Sequence, residues 1–314
     1  MSQPSFFLSH DGAIDELIAL LLLARRPDVD LVGTSLTSAD CLTEQGMEAQ
    51  HRLLALAGQP DIPASLSAAR AVNPFPWKYR CDCVRFVELD ALGKAPAIAP
   101  PYPDGEAHLA QALEAAGDEG LTILATGPLT QLQMVLEVQP ELKSRIRRVV
   151  WMGGAVDVPG NLEPDTLPGI PLGKPAEWNA FWDPFAVDWV YRNTAFPLVV
   201  VPLDVSDQAL LSSSLLDALR TASEQSELAR LASDAYRLVL DQPMYRLWDM
   251  TAVCFALHPE FFDAPESVRL SVETWGPDQG VLKRDAGGRE TRIVQRFASG
   301  GLEQMHGFIT DSLT

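Results

Sequence analysis

The sequence predicts an α/β fold with a doubly wound, mostly parallel sheet flanked by helices. Short apolar runs, typical of buried strands, alternate with stretches of helical pattern along most of the chain. Polar side chains directly follow several of these runs, as expected at the carboxyl edge of a parallel sheet. Alternation of this kind joins parallel strands through helices. No shift in composition marks a boundary, so we expect one domain over residues 1–314.

The first strand and helix come at the start of the chain. Residues 6–10 form a short, mostly apolar run, Gly12 permits a turn, and residues 17–23 form an apolar stretch that predicts a helix. Three acidic residues lie between the two elements: Asp11, Asp15 and Glu16. Acidic residues commonly cap helix starts, but several oxygens converging at a strand end could also hold Ca²⁺ or Mg²⁺. The stretch alone leaves both interpretations open.

The later elements continue the alternation. Strands are predicted at residues 30–36, 121–125, 148–152, 197–202, 268–273 and 289–297. Helices are predicted at residues 41–58 and 106–116, from about residue 184, through most of 206–257 and after 301. Residues 67–105 and 155–176 are rich in Pro and predict two long loops. In a compact domain, loops of that length are usually functional lids or binding loops.

The composition limits the possible partners. The chain has 24 Lys and Arg residues against 42 Asp and Glu residues, which gives a formal net charge of −18. Nucleic acids and anionic membranes are bound through basic patches, so we expect neither partner and expect a small-molecule substrate instead. The chain shows no signal-peptide pattern and no apolar run long enough to span a bilayer. We therefore expect a cytoplasmic protein.

The four cysteines give little functional information. Cys81 and Cys83 form a C-x-C spacing, which is a weak metal or redox signal without a second pair. Free thiols in a reducing cytoplasm are the favoured interpretation.

Polar residues follow several predicted strands: Asp11, residues 38–40, Thr126 and residues 157–161. In a parallel sheet all of them fall on one carboxyl edge, where open α/β sheets bind ligands. Asp249 adds a carboxylate in an apolar helical surrounding, and a carboxylate buried there needs a cation or hydrogen-bond donors. As a partly solvated helix N-cap it would need neither, and the residue alone favours that interpretation.

The order of short motifs along the chain resembles the nucleoside hydrolase family. Residues 9–16, Ser-His-Asp-Gly-Ala-Ile-Asp-Glu, are similar to the family's N-terminal D-x-D-x-x-x-D-D signature. Further similar stretches follow in order at residues 37–41, 71–76, 126–129, 152–156, 160–161, 176–179, 182–184 and 248–249. The His-Asp-Gly, Ala-Asp-Cys and Asn-Pro-Phe-Pro pieces resemble most the purine-specific branch, which prefers inosine, adenosine and guanosine.

The resemblance implies a Ca²⁺-dependent purine ribonucleoside hydrolase with Asp11 as general base. Ca²⁺ would be held by Asp11, Glu16, the main-chain carbonyl of Thr126, and Asp249. The ribose would be bound by Asp15, Met152, Asn161, Glu177 and Asn179. Asp40 would contact the base, which would stack between the catalytic aromatic Trp248 and either Tyr79 or Trp77. The family forms dimers and tetramers, so we expect a homo-oligomer and favour a dimer.

The residue types suit this chemistry. Cleavage of an N-glycosidic bond builds positive charge on the ribose, which a carboxylate-rich pocket stabilises. The leaving base must gain a proton or be stabilised in another way, and in the purine-specific branch aromatic stacking is thought to ease protonation. Such a stack contributes on the order of 1 kcal/mol beyond area burial, so it helps but cannot supply the whole effect.

Structural alternatives remain for several assignments. Trp248 could be a simple core residue, and Asp40 could cap the helix predicted at 41–58. Glu177 and Asn179 could cap the helix predicted from about residue 184. His10 occupies a variable position of the motif, so we interpret it as a supporting residue rather than a catalytic base or ligand.

The sequence also departs from the family pattern. Ser9 and Glu16 stand where the family usually has Asp, and Ala13 stands where the purine-specific branch often has Asn. We expect a weakened or shifted metal affinity with activity retained, because Glu16 reaches one methylene further and Ser9 loses a supporting charge. The tyrosine at the second stacking position departs from tryptophan, which affects base preference.

Base preference and catalysis each have competing hypotheses. The pyrimidine-preferring branches typically use a late histidine as general acid, and residues 233–249 contain none, which favours purines; Tyr245 or Arg246 could still contact the leaving group. A hydrolase of different base preference is one alternative, and a non-catalytic nucleoside- or ribose-binding homologue with a weakened metal site is another. A phosphatase with an acidic strand-end nucleophile lacks further support in the sequence.

Overall fold

A computed structural model describes residues 3–93, 99–242 and 244–314 of the chain. Its centre is a sheet of nine strands: β1 Ser5–His10, β2 Asp30–Leu36, β3 Ala64–Leu66, β4 Leu121–Thr126, β5 Ile146–Met152, β6 Leu198–Val201, β7 Glu266–Val272, β8 Leu282–Arg284 and β9 Arg289–Ile293. Their order is β3-β2-β1-β4-β5-β6-β9-β7-β8. The strands from β3 to β9 pair in parallel, whereas β7 runs antiparallel to β9 and β8. The predicted doubly wound, mostly parallel sheet is confirmed.

The helices connect and cover these strands. They are α1 Ile14–Arg25, α2 Thr43–Leu56, α3 Trp77–Arg80, α4 Asp82–Val87, α5 Gly105–Ala115, α6 Thr130–Val138, α7 Trp178–Trp182, α8 Pro184–Asn193, α9 Leu203–Ser206, α10 Ser213–Ala222, α11 Glu227–Arg237, α12 Trp248–Leu257 and α13 Gly301–Ser312. Short 3₁₀ turns lie at Asp90–Leu92, Pro140–Arg145, Pro164–Thr166, Pro259–Phe261 and Gly276–Asp278. Among the described residues, no helix is long and apolar enough to cross a membrane.

The two faces of the sheet carry separate hydrophobic cores. Along β1, Phe6 and Leu8 pack into one core and Phe7 into the other, because successive side chains of a strand point to opposite faces. Helix α1 lies in the first core and is buried along nearly its whole length. It is apolar on all sides because it packs against α2, α11, α12 and α13. The turn at residues 11–13, which precedes α1, is therefore anchored at the centre of the molecule.

Several predicted boundaries were wrong. The stretch 67–105 is not one loop, since it contains α3, α4 and a 3₁₀ turn; its residues 94–98 lie outside the described residues. The helical region 206–257 is divided among the end of α9 and α10 to α12, with residues 238–242 and 244–247 outside any α-helix. The short strands β3 and β8 were not predicted, because three residues are too few to show a period.

Candidate active site

A cavity of about 590 Å³ opens at the carboxyl edge of the sheet. Strands β1, β4 and β5 end beside it, at His10, Thr126 and Met152. Most of the residues predicted to form the site line this cavity: Asp11, Glu16, Asp40, Tyr79, Met152, Asn161, Glu177, Asn179, Trp248 and Asp249. Of the predicted strand-end polar residues, Asp11, Asp40 and Asn161 converge on this cavity, whereas Thr126 and Asp157 do not line it.

The acidic turn after β1 forms the floor of the cavity. Gly12 has φ +88°, and a Cβ atom there would meet the Sγ of Cys41 and the Cδ1 of Leu36 at 2.8 Å each, so the tight turn requires glycine. Helix α1 has Ala13 at its N-cap and receives no side-chain cap. Capping does not explain the acidic residues, because neither Asp11 nor Glu16 serves the helix in that way. Instead, each of their two carboxyl groups lies close enough to shift the pKa of the other.

Burial and mutual repulsion act together on the carboxyl groups of this cluster. Burial is the largest cause that raises the pKa of Asp11 and of Glu16 well above the usual range. The neighbouring charges of Asp40 and Asp249 raise the pKa of Asp11 further. Burial, and then repulsion from Glu16, also raise the pKa of Asp40 and the pKa of Asp249. A cation placed among these groups would reverse the repulsion.

Several buried oxygens at this edge accept no hydrogen bond: Glu16 Oε2, Asp40 Oδ1, Asn161 Oδ1 and Asp249 Oδ1. Such acceptors are costly to bury without a partner, and hard oxygens of this kind are the ligands that Ca²⁺ prefers. The described residues hold no group of three or more His, Cys, Asp or Glu side chains already gathered around a common point. The chemistry of the donor set nevertheless fits a calcium ion, since a main-chain carbonyl can complete a set of carboxylates.

The capping alternatives for Asp249 and Asp40 are wrong. Helix α12 has Leu247 at its N-cap, and Asp249 lies inside the first turn with one oxygen unpartnered. Helix α2 has Leu42 at its N-cap and no side-chain cap, so Asp40 does not serve that helix. Both carboxylates are thus available to the cavity.

Asp15 is held away from the cavity. It is fully buried, and its Oδ2 accepts hydrogen bonds from the main-chain N–H groups of Asp249 at 2.8 Å and Met250 at 2.9 Å. Its Oδ1 accepts from the hydroxyl of Tyr236 at 2.9 Å. Burial raises the pKa of Asp15 to about 6 despite these bonds. Asp15 therefore ties the start of α12 to the start of α1, and it does not line the cavity with the other predicted ribose-binding residues.

Glu177 and Asn179 also line the cavity. Glu177 caps the short helix α7 by accepting from the N–H groups of Asn179 and Ala180, and it also accepts from Gly154 N at 2.7 Å. Burial raises the pKa of Glu177 to about 7, against the lowering effect of these bonds. The amide of Asn179 donates to the carbonyl of Met152 at 3.1 Å. The helix predicted from about residue 184 is capped instead by Asp183, so the capping alternative named the wrong helix.

Aromatic residues line the outer part of the cavity. Trp248 is partly buried and makes an edge contact with Tyr245, with ring centroids 5.1 Å apart. Tyr79 lines the cavity, whereas Trp77 is 65% exposed and does not. Of the two predicted stacking partners, only Tyr79 therefore lines the cavity. The simple-core alternative for Trp248 is wrong, because its ring borders the cavity.

Sequence reasoning missed several residues of this outer part. Phe75 and Trp178 line the cavity and touch each other with ring centroids 4.9 Å apart. The other lining residues without a predicted role are Ala13, Ile14, Lys78, Asp82, Arg85, Glu163, Asp241, Gln242 and Met244. Phe75, Lys78, Asp82, Arg85 and Glu163 lie in the loops predicted at 67–105 and 155–176, and Trp178 lies beside the second. Loop length was the available signal, but it names no individual residue.

The residues around the acidic turn are themselves well bonded. His10 is fully buried, approaches Gln50 at 3.2 Å and does not line the cavity, and burial lowers its pKa to about 4. Ser9 donates to Gln131 at 2.8 Å, and Gln131 donates to Ser35 at 2.7 Å. The hydroxyl of Ser9 thus completes a neutral buried chain of hydrogen bonds, which explains how the strand accommodates the loss of the family's aspartate.

The chain matches known nucleoside hydrolases over nearly its full length. Residues 6–299 match the model of the family described as inosine-uridine preferring nucleoside hydrolase. A solved structure described as the inosine-uridine preferring nucleoside hydrolase from Bacillus anthracis superposes with TM-score 0.88 at 28% identity, covering 99% of each chain. A purine-preferring ribonucleoside hydrolase from Gardnerella vaginalis shares the fold, with TM-score 0.78 at 20% identity and coverage of 98% of this chain and 99% of that one.

Curated relatives carry pyrimidine names. The pyrimidine-specific ribonucleoside hydrolase RihA of Shewanella sp. strain ANA-3 is 27% identical over 85% of this chain and 81% of its own length. The probable uridine nucleosidase 2 of Arabidopsis thaliana is 26% identical over 86% of this chain and 82% of its own length. These names do not confirm the predicted purine-specific branch. The chain belongs to the inosine-uridine preferring nucleoside hydrolase family, and its reaction is the hydrolysis of a nucleoside N-glycosidic bond.

Proposed function

We propose that this enzyme is a Ca²⁺-dependent ribonucleoside hydrolase with Asp11 as general base and a preference for purine nucleosides. The observation that carries the proposal is the set of unpartnered, buried oxygens at the carboxyl edge of the sheet. The residues that would hold the ion are Asp11, Glu16, Asp249 and the main-chain carbonyl of Thr126. When bound, Ca²⁺ supplies positive charge that offsets the carboxylate repulsion and makes a nearby water more acidic.

Asp11 would act directly on the attacking water. Its carboxyl group lines the cavity floor, and one carboxylate oxygen would take a proton as the water oxygen bonds to the anomeric carbon of the ribose. The bond from that carbon to the base nitrogen breaks, and its electron pair leaves with the base. The positive charge that develops on the ribose is stabilised by the surrounding carboxylates.

The ribose would be oriented by the wall that carries Glu177 and Asn179, with Asn161 and Met152 beside it. Glu177 is held rigidly by three main-chain N–H groups, so it would present a fixed acceptor to a ribose hydroxyl. We assign Asp15 a positioning role in place of the predicted ribose contact. Its two oxygens already accept three hydrogen bonds, and two of these fix the first turn of α12, which carries Asp249.

The purine preference is supported by the outer part of the cavity. Trp248, Tyr245, Phe75, Tyr79 and Trp178 offer aromatic surface to a leaving base, and Asp40 offers an acceptor. Among the described residues that line the cavity there is no histidine to act as the general acid of the pyrimidine-preferring branches. An aromatic lining without a histidine is suited to a reaction in which stacking, rather than a general acid, eases protonation of the leaving purine.

A pyrimidine preference is the second candidate. It is favoured by the curated relatives, which are named for pyrimidine or uridine hydrolysis at 26–28% identity. Tyr245 or Arg246 would then be the group that contacts the leaving base, since both line the cavity.

The proposal also includes the predicted cytoplasmic homodimer. Light scattering on the purified protein gives its mass in solution, to be compared with 34.3 kDa for one chain. A monomer would contradict this part of the proposal.

The main test is base release from inosine, adenosine, guanosine, uridine and cytidine, with and without a strong Ca²⁺ chelator. We expect chelator-sensitive hydrolysis that is faster for the purine nucleosides and is restored by added Ca²⁺. Faster hydrolysis of uridine and cytidine would establish the second candidate. Turnover that is unaffected after complete metal removal would contradict the metal assignment.

A further inference from the structure

Trp248 is held in place by a residue outside the cavity. Its indole Nε1–H donates a hydrogen bond to Oδ1 of Asp207 at 3.2 Å. Asp207 follows the last residue of α9, and its side chain is 37% exposed. The cavity is lined by Trp248 but not by Asp207. The carboxylate therefore contacts the polar edge of the aromatic ring without lining the cavity itself.

The backbone around Asp207 is matched to the backbone around Trp248. Residues 209–211 and 245–247 pair as a short antiparallel ladder, through Leu247 N to Ala209 O at 2.8 Å and Leu211 N to Tyr245 O at 2.9 Å. Between these two segments, Arg246 Nε donates to the main-chain carbonyl of Asp207 at 3.2 Å and lies 3.4 Å from its carboxylate. The ladder thus brings Asp207 to the ring of Trp248. It also brings Arg246 to Asp207, so that the guanidinium offsets the negative charge of the carboxylate.

The ring of Trp248 also packs against the first hydrophobic core and against Tyr245. Tyr245 meets it edge-on, at an interplanar angle of 70°, and these apolar contacts are not directional in the way a hydrogen bond is. The N-cap of α12, Leu247, provides no side-chain hydrogen bond to the start of the helix. The hydrogen bond to Asp207 is directional and runs through the one polar atom of the indole, so it determines the rotamer about the side-chain torsions.

We propose that Asp207 is a positioning residue that holds the plane of Trp248 for stacking on the leaving base. This inference rests on the proposed stacking role of Trp248. A stack loses much of its interaction when the ring tilts, because offset-parallel geometry is needed for contact over the whole face. Asp207 would therefore act on nucleosides whose base is a poor leaving group and have little effect where the leaving group departs unaided.

The experiment measures kcat/KM for two substrates: the natural nucleoside that is hydrolysed fastest, and the activated 4-nitrophenyl riboside. Trp248→Ala is measured first, and its loss on the natural nucleoside should exceed its loss on the activated substrate. For Asp207→Ala we expect a loss of about fivefold to tenfold on the natural nucleoside, the order of one hydrogen bond, and less than about twofold on the activated one. Asp207→Asn keeps an acceptor oxygen and should recover most of the loss.

The controls separate positioning from general damage. Asp188→Ala removes another partly exposed carboxylate that pairs with an arginine, Arg192, and should leave both substrates unchanged. If Asp207→Ala does not fold, Trp248→Phe keeps a ring without the N–H group and should show the same dependence on the leaving group. Thermal unfolding of each variant reports whether the fold is retained.

The outcomes distinguish this inference from the proposed function. Equal losses on both substrates for Trp248→Ala would overturn leaving-group stacking itself, and with it the role of Asp207. A leaving-group-dependent loss in Trp248→Ala with none in Asp207→Ala, or an equal loss on both substrates in Asp207→Ala, would overturn the positioning role alone. Failure of Asp207→Asn to recover activity would also contradict it.

Discussion

The two ends of the cavity are built in different ways. At the inner end, Asp11, Glu16, Glu177, Asn179 and Asp249 are each at most 7% exposed. Each of them follows a strand directly or lies at the N-cap or in the first turn of a helix. At the outer end Trp248 begins the ten-residue helix α12, whereas the other side chains lie on loops and on helices of four to six residues, and Met244 is 61% exposed.

We interpret this difference as a division of roles, in which the inner end acts on the ribose and the water and the outer end contacts the base. The inner end is fixed by the sheet, so the groups to which we assign contacts with the ribose and the water have a rigid support. The outer end is held by hydrogen bonds between loops, such as Tyr79 to Glu163 at 3.1 Å and Gln242 to Asp82 at 2.9 Å. We expect changes there to act on base preference and on departure of the base, and membership of the family does not decide between purines and pyrimidines.

The largest effect is expected from Asp11→Asn at the inner end. Turnover should fall by roughly 10³-fold or more on every nucleoside, because the general base is lost and a carboxylate is removed from the ion site. The thermal midpoint should stay the same or rise, since an amide relieves the repulsion with Glu16. Steady-state kinetics and thermal unfolding test this. Wild-type turnover, or losses that differ strongly between bases, would break the proposed division.

Gly153→Ala should disturb the inner end through packing. A Cβ atom at Gly153 would lie 2.2 Å from ring carbons of Trp151, whose indole donates to the carbonyl of Gly127 beside Thr126. Overpacking of this kind costs about 1–3 kcal/mol of unfolding free energy, to be measured by urea denaturation. Gly307→Ala is the control, because its Cβ enters open space on α13. An equal effect of the two variants would contradict the packing argument.

Arg80→Met should act mainly on the outer end. Arg80 donates two hydrogen bonds, at 3.1 and 3.0 Å, to the carbonyl of Cys41, and so ties α3 to the loop that carries Asp40. We expect KM to rise about twofold to tenfold, by different factors for different bases, with kcat nearly unchanged. A fall in kcat that is equal for all nucleosides would place Arg80 in the inner end instead.

The smallest effect concerns a histidine remote from both ends. His108 on α5 contacts the ring of Phe7 and approaches Ser65 Oγ at 2.8 Å, and burial lowers its pKa. A lowered pKa in the folded state means stability that is present above the unfolded pKa near 6.5 and is lost as pH falls below it.

The matching variant is His108→Asn. When the pH is lowered from 7.5 to 5, the thermal midpoint of the variant should fall by less than that of the wild type. The two decreases should differ by no more than about 2 °C. Scanning calorimetry at both pH values measures the difference, and a larger loss in the variant would reverse the sign of this argument.

The sequence predicted the inner end better than the outer end. Asp11 and Glu16 could be placed because they lie between an apolar run and an apolar helix, and a parallel sheet brings all strand ends to one edge. Asp249 could be placed only through the resemblance to the family, since a carboxylate in a helix start has an ordinary capping explanation.

The errors have identifiable physical causes. Asp15 could not be assigned from sequence, because its partners Tyr236 and Met250 are more than 220 positions away. Phe75 and Trp178 were missed because loop conformation decides which side of an aromatic residue faces a cavity. The choice of Tyr79 over Trp77 depended on the same conformation, which no periodic pattern encodes.

Helix α1 has a consequence for the lifetime of the active site. It begins three residues after Asp11, and its residues Leu17 to Leu23 are all at most 1% exposed. Amide protons buried at this depth exchange with solvent only when the whole domain unfolds, whereas loops and short helices exchange through local opening. The acidic turn therefore cannot open by itself, so the catalytic groups persist for as long as the molecule remains folded.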